Sequence, residues 1–251
     1  TDRVVNAFVD SGYLTIRAYQ ETFGGRNYTS ARLKTQGKRF FKYGRVEARI
    51  KLPYGQGIWP AFWMLGESIS TVGWPACGEI DIMELIGGGP GRDNTVHGTA
   101  HWDNNGHQSY GLSYTLPSGN FSDGFHVFAI EWDATQIKWY MDGINYVTLN
   151  VTPAYLTELR ENSFIILNLA VGGNWPGNPN ASTVFPQSMV VDYVRVYKDT
   201  TGQASINMLN PPTGSVFTPG QTIELTAGVT TGSAIRKVEF FQGEAKIGET
   251  N

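Results

Sequence analysis

Three carboxylates, Glu79, Asp81 and Glu84, stand in the run Gly78-Glu79-Ile80-Asp81-Ile82-Met83-Glu84-Leu85, whose other residues are almost all apolar. The pattern is that of a buried or half-buried strand. Alternate side chains of a strand point to opposite faces, so Glu79 and Asp81 share one face while Ile80 and Ile82 point into the core. Glu84 has the wrong parity for that face. One extra residue at Ile82-Met83, a β-bulge, restores it, and bulges recur beside active sites because they re-aim a side chain. The outer Cα atoms then stand roughly 13 Å apart, at about 3.3 Å per residue. Two Glu side chains leaning together close that gap to about 5–6 Å, the spacing with which paired carboxylates cleave a glycosidic bond with retention. The alternative is an acidic cluster held by basic partners or by a metal ion. Like charges gathered on an apolar strand are costly, and they concentrate where pKa values must be pushed apart.

The elements that position these acids are strands. The 251 residues suffice for one large all-β domain and part of another. With 30 Gly, 12 Pro and few helix-favouring runs, short alternating segments punctuated by turn residues predict a β-sandwich or barrel. Tyr13 to Tyr19 alternates after the turn Asp10-Ser11-Gly12. Further strands are expected near 29–36, 42–52, 58–66, 78–85, 95–102, 125–132, 136–142, 163–171 and 188–198. Asp142-Gly143 signals a hairpin into Ile144-Asn145-Tyr146-Val147. Pro153 to Arg160 is the one short helix expected. Residues 199–205 read as a linker, and 206–251 as a second alternating region with the pattern of half an immunoglobulin-like module. Half a sandwich leaves an apolar face and open edges. It is therefore expected to pack by strand addition, on the larger domain's open edge or on a second copy of the chain.

Composition narrows the partners. Charged residues are 16% with a net charge of -3, so the basic patch that nucleic acid demands is missing. No apolar run approaches the roughly 20 residues of a membrane span, and no signal peptide is visible. The start at Thr1-Asp2-Arg3 is expected to be a processed or truncated end. Cys77, the single cysteine, allows no intrachain disulfide and reads as a small buried hydrophobe. The Asn-x-Ser/Thr triplets at Asn27, Asn120, Asn150 and Asn180 arise freely in Asn/Thr-rich loops and carry no inference.

Beyond the acidic strand, several runs occur in a telling order. They are Tyr43-Gly44-Arg45-Val46-Glu47-Ala48-Arg49-Ile50-Lys51, then Gly57-Ile58-Trp59-Pro60-Ala61-Phe62-Trp63-Met64-Leu65, then Trp74-Pro75-Ala76-Cys77-Gly78. Val96-His97-Gly98-Thr99, Gly172-Gly173-Asn174-Trp175-Pro176-Gly177 and Asp192-Tyr193-Val194-Arg195-Val196-Tyr197 follow. Over about residues 1–198 the chain resembles glycoside hydrolase family 16, in the bulged Glu-x-Asp-x-x-Glu form of laminarinases (endo-β-1,3-glucanases). Lichenases, with one residue fewer and no bulge, resemble it less. The resemblance implies a concanavalin A-like jelly-roll sandwich. It also implies some tens of residues before the position of Thr1, including an outer strand, whose absence would leave one sheet edge open.

The resemblance assigns Glu79 as nucleophile, Glu84 as acid/base and Asp81 as the residue between them. That chemistry needs no cofactor. One carboxylate must be ionised to attack while the other is protonated to release the aglycone. Trp59, Trp63, Trp74 and Trp175 are candidate sugar platforms, although Trp59 and Trp63 share a parity that puts both in the cleft or both in the core. Asn174 is a candidate for sugar hydroxyls. His97 and His101 fall on one strand face but lack a third ligand for zinc; by resemblance His101 bonds the acid/base or a sugar hydroxyl. Arg49 is expected in the cleft, with a salt bridge to Glu47 or a neighbour as the alternative. Family members often carry a structural calcium on the convex face, which here would use the Gly12 carbonyl and Asp192. The implied activity is endo-acting, retaining cleavage of β-1,3-glucan by a secreted or cell-surface bacterial-type protein. Other family activities (mixed-linkage glucanase, agarase, carrageenase, transglycosylase) stay open, and so does a glucan-binding protein without catalysis, which the presence of both Glu79 and Glu84 argues against.

Overall fold

The computed structural model describes residues 1–198, 205–211, 215–218, 220–230, 237–242 and 245–250. Its contacts divide the chain into Thr1–Lys198 and Asp199–Asn251. In the first unit the strands are β1 (Ala7–Asp10), β2 (Tyr13–Phe23), β3 (Arg26–Thr29), β4 (Arg32–Lys34), β5 (Gly44–Lys51) and β6 (Ile58–Gly66). A one-turn helix, α1 (Ile69–Val72), precedes β7 (Glu79–Glu84), β8 (Thr95–Asp103) and β9 (His107–Thr115). Then come β10 (His126–Trp132), β11 (Gln136–Met141), β12 (Ile144–Asn150), a 3-10 turn at Ala154–Arg160, β13 (Ser163–Val171) and β14 (Gln187–Tyr197).

These strands make a two-sheet, all-β sandwich of the jelly-roll type. One sheet runs β1-β2-β14-β5-β10-β11-β12, with β3 on β2, and the other runs β4-β13-β6-β7-β8-β9. Sequence period dictates the layering. In β5, Val46, Ala48 and Ile50 are fully buried, while Arg45, Glu47, Arg49 and Lys51 alternate with them on the opposite face. Phe62, Met64, Ile80 and Ile82 supply the core from the second sheet. The expected strand at 29–36 is broken at Ser30-Ala31 into β3 and β4, which belong to different sheets. Two strands had no clear signal in the sequence. β1 is only four residues long, and β9 is an edge strand so exposed that it lacks apolar alternation.

The bulge in the acidic strand is present. Across β6, Asp81 faces Trp63 and Met83 faces Phe62, so Ile82 is the extra residue. Across β8, Asp81 faces Thr99 and Glu84 faces His97, so Ile82-Met83 together oppose Gly98. Trp139 of the other sheet reaches through the core, and its Nε1 donates to the Asp81 carbonyl at 2.7 Å, beside the bulge. Gly98 makes room for that indole: a Cβ there would stand 2.5 Å from Trp139 Cδ1 and 2.5 Å from Tyr146 Oη.

In the second unit, β15 (Ser205–Asn210) pairs with β16 (Thr226–Thr230), and β17 (Val238–Gln242) with β18 (Ala245–Thr250). These four strands form two separate two-stranded sheets. Lys237 and Lys246 flank Glu239 on the second hairpin. Of the expected linker 199–205, residues 199–204 lie outside the described residues and Ser205 begins β15.

Gly98→Ala is expected to lose about 1–3 kcal/mol, the usual cost of overpacking a core, and to lower activity by pushing Trp139 off the Asp81 carbonyl. Denaturant unfolding and a hydrolysis assay on the same variant check this; an unchanged midpoint would mean that Trp139 does not pin the bulge.

Candidate active site

The register of β6, β7 and β8 assembles the site. Glu79, Asp81 and Glu84 stand opposite His101, Thr99 and His97 of β8, which all share one face. On β6 the half-exposed Trp59 and Trp63 alternate with buried Ile58, Phe62 and Met64, so both indoles lie on the acids' face. The three acids, both indoles, Arg32 and Asn168 line one cavity of about 180 Å³.

Each acid meets a different partner. Trp59 Nε1 donates to Glu84 Oε1 at 2.9 Å. His101 Nε2 lies 3.0 Å from Asp81 Oδ2 and 3.9 Å from Glu79 Oε1. His101 therefore faces Asp81 and Glu79 rather than the acid/base, one of the two partners that the resemblance suggested. Asp81 Oδ2 is buried and lacks a well-aligned hydrogen bond. The Trp74 side chain beside Glu79 favours the ionised form.

Burial dominates the electrostatics. It pushes the Glu84 carboxyl up to about 8, with the Asp81 charge adding to the rise and the Trp59 hydrogen bond opposing it. Burial also raises Glu79 and Asp81, and Glu79 is raised further by Asp81 beside it. Two carboxyls this close in low dielectric titrate as a pair and hold a proton between them. A cluster with one acid protonated near neutral pH and a neighbouring pair able to supply one carboxylate can run acid and nucleophilic chemistry together.

Around the acids, aromatic rings extend the cleft. Trp175 packs edge-on to Trp59, centroids 5.8 Å apart, and 4.9 Å from His97, whose Nδ1 bonds Ser113 Oγ at 2.8 Å. The Trp175 loop is held by Arg92, after β7, and by Gln56, just before β6, which both donate to the Pro176 carbonyl, at 2.9 and 2.7 Å. The buried Asp93 carboxylate accepts from the backbone N–H groups of Gly55, Gly88 and Gly89, closing that Gly-rich turn. Trp74 is exposed and stacks near His101 and His107. Asn174 is exposed in the Trp175 loop. Cys77 is buried, and burial followed by the Glu79 charge pushes its thiol up, away from nucleophilic use.

One expectation fails outright. Arg49 does not face the cleft: it lies on the outward side of β5, in the other sheet. There it donates to Asp192 Oδ2 at 2.7 Å and covers the Phe125 ring. The alternative of a salt bridge to a neighbour is what forms. This pair also bears on calcium. Val191 stands opposite Leu14, which brings Asp192 next to the turn carrying Gly12. Calcium takes six to eight oxygens, whereas Gly12 and Asp192 offer two ligands and Arg49 already occupies one Asp192 oxygen. A calcium ion here would need further oxygen ligands and an Asp192 freed from Arg49.

Sequence reasoning passed over Arg32, Asn168 and His107. Asn168 accepts from Trp63 Nε1 at 2.8 Å, and Arg32 lies 5.4 Å over the Trp63 ring, so together they fix that platform. A lone Asn inside the apolar run Phe164-Ile165-Ile166-Leu167-Asn168-Leu169 was the available signal. His107 lies on exposed β9, where nothing in the pattern marks it.

Residues 4–195 match Glycosyl hydrolases family 16, and residues 205–251 match a Bacterial Ig domain. The chain belongs to glycosyl hydrolase family 16. Among solved structures it is similar to the laminarinase catalytic domain from Thermotoga maritima MSB8, with 48% identity and a TM-score of 0.73 over 79% of this chain and 82% of that one. It is 41% identical to a Beta-glucanase of Rhodothermus marinus, covering 78% of this chain and 71% of the relative. It is also 39% identical to Glucan endo-1,3-beta-glucosidase A1 of Niallia circulans, covering 79% of this chain but only 32% of that relative's length. No helix among the described residues is long and apolar enough to cross a membrane.

The Glu84 shift makes a stability prediction. Its folded value is raised from 4.5 to about 8. The folded state then binds more protons than the unfolded chain between those values, and stability falls as pH rises through that window. Glu84→Gln is therefore expected to raise the melting temperature at pH 8 relative to wild type, and not at pH 4.5. Equal effects at both pH values would contradict a raised Glu84.

Proposed function

We propose that the chain is an endo-acting, retaining glycoside hydrolase that cleaves β-1,3-glucan by double displacement. The observation that carries this reading is the bulge at Ile82, which turns Glu84 onto the face of Glu79 and Asp81 inside an aromatic-lined cleft. The names borne by its relatives support β-1,3-glucan as the substrate. Glu79, relieved of its proton, attacks the anomeric carbon and forms the glycosyl-enzyme bond as the glycosidic C–O bond breaks. Glu84 gives its proton to the departing oxygen. Because Trp59 Nε1–H already occupies Oε1, that proton sits on Oε2. In the second half, Glu84 takes a proton from water, whose oxygen attacks the same carbon and frees Glu79 with the original anomeric configuration. Asp81 keeps its proton close to Glu79 and so keeps the nucleophile aimed. Trp59, Trp63, Trp74 and Trp175 offer ring faces to the apolar C–H side of pyranose rings, and Asn174 offers its amide to hydroxyls.

Three further parts of this reading have tests of their own. Secretion to the outside of a bacterial cell follows from a polymeric substrate that cannot enter the cell, and fractionating the native host for activity would test it. A structural calcium at Gly12 and Asp192 requires Arg49 to release Asp192; if it binds, EDTA lowers the melting temperature. Self-association through 206–251 is supported by β15–β18 pairing, among the described residues, only as two-stranded sheets, which are marginal alone and have open edges. A monomeric mass in solution would count against it.

Glu79→Ser and Glu84→Ser are each expected to abolish hydrolysis of laminarin while leaving glucan binding largely intact. Azide should rescue the Glu79 variant as a glycosyl azide of inverted configuration. Anomeric proton NMR of early wild-type products on laminarin, lichenan and agarose settles substrate and stereochemistry together: retained products from laminarin support the reading, and inverted products or no laminarin cleavage refute it.

A further inference from the structure

Two imidazoles stand in line behind Asp81. His101 Nδ1 lies 2.8 Å from His107 Nε2, with the rings 5.1 Å apart and inclined by 25°. On its other side, His101 Nε2 lies 3.0 Å from Asp81 Oδ2. A neutral imidazole carries one N–H, so these two contacts decide each other. If His107 donates to Nδ1, His101 must carry its proton on Nε2, toward Asp81. If His107 Nε2 is bare, His101 gives up its Nδ1–H to it and turns a lone pair toward Asp81 Oδ2, which repels that oxygen as long as the proton Asp81 shares with Glu79 sits on the other carboxyl oxygen. Asp81 Oδ2 is buried without a well-aligned donor, and active-site hydrogen bonds often tighten only once substrate is bound. Only the first arrangement supplies that donor.

We propose that His107 is a positioning residue: its Nε2–H, donated to His101 Nδ1, fixes His101 as the Nε2–H tautomer and keeps that N–H on Asp81. His107 is placed for this by β9. Its direct partner across the ladder is Asp103, and its ring packs 4.6 Å from Trp74, so its orientation is held from two sides. The charged and titratable groups around the pair are Glu79 and Asp81 from β7, with Glu84 beyond Asp81, and Asp103 from β8. Glu158 accepts from the Asp103 N–H at 2.9 Å, and Asp103 Oδ1 accepts from the Gly106 N–H at 3.1 Å, which caps the turn into β9. The catalytic consequence rests on the glucanase reading; the tautomer does not.

Two variants separate the roles of the ring. His107→Phe keeps an aromatic face against Trp74 and removes the donor. His107→Gln keeps an N–H at similar reach and removes the ring. Long-range proton–nitrogen NMR of His101 is expected to show the Nε2–H tautomer in wild type and in His107→Gln, and mixed tautomers in His107→Phe. On laminarin, His107→Phe should lower kcat about five-fold, the rate equivalent of one net hydrogen bond, with KM unchanged. Without the donor on Asp81 the Glu79–Asp81 pair ionises less readily, so the acidic limb of the rate profile should move to higher pH, and His107→Gln should restore it. A wild-type His101 protonated on Nδ1, or a His107→Phe protein with the wild-type tautomer and pH profile, overturns the proposal. A wild type inactive on laminarin overturns the glucanase reading alone, and the tautomer measurement still decides this one.

Discussion

Burying three carboxylates on one strand face is the constraint on which this structure turns. Transfer of an ionised carboxylate out of water is costly unless it is paired or neutralised. Glu79, Asp81 and Glu84 are all largely buried, and few cations reach them. The sandwich answers with protons and neutral donors. Glu84 holds its proton to about 8, and Glu79 and Asp81 share one. The Trp59 indole N–H meets a Glu84 oxygen, and the His101 imidazole faces Asp81 and Glu79. The same cost that threatens the fold also divides the labour, since groups with separated protonation states can serve as acid and nucleophile at one pH.

Holding that arrangement takes both sheets. The six-stranded sheet carries the acids, but the bulge that aligns them is braced by Trp139 from the opposite sheet, through the space left by Gly98. The loops act similarly: Asp93 closes the turn after the catalytic strand, and Arg92 ties that turn to the loop bearing Trp175. The platforms are thus fixed by backbone carbonyls and amides as much as by their own packing. A residue remote from substrate can alter the reaction by moving a backbone atom rather than a charge.

Much of this was legible in the sequence, for reasons that particular residues make plain. Period-two alternation marks β5 and β7, and parity alone required a bulge between Asp81 and Glu84. Burial of both faces shows in the apolar run of β13, interrupted by Asn168. What was illegible depends on pairing across the fold. Nothing local says that Arg49 meets Asp192, because 143 residues separate them. Nor does the parity shared by Trp59 and Trp63 say which face is the cleft; that is decided by Asn168 and Glu84 receiving their N–H groups. His107 escaped because β9 is an exposed edge, where hydrophobic pattern carries little information.

Burial keeps this acidic cluster partly protonated near neutral pH. Carbon-13 NMR of carboxyl-labelled protein, titrated from pH 4 to pH 9, measures it directly. Glu84 is expected to titrate near 8, and Glu79 and Asp81 as a coupled pair with one proton retained above the ordinary carboxylate range. Three independent midpoints near 4 to 4.5, the ordinary Asp and Glu range, would contradict it.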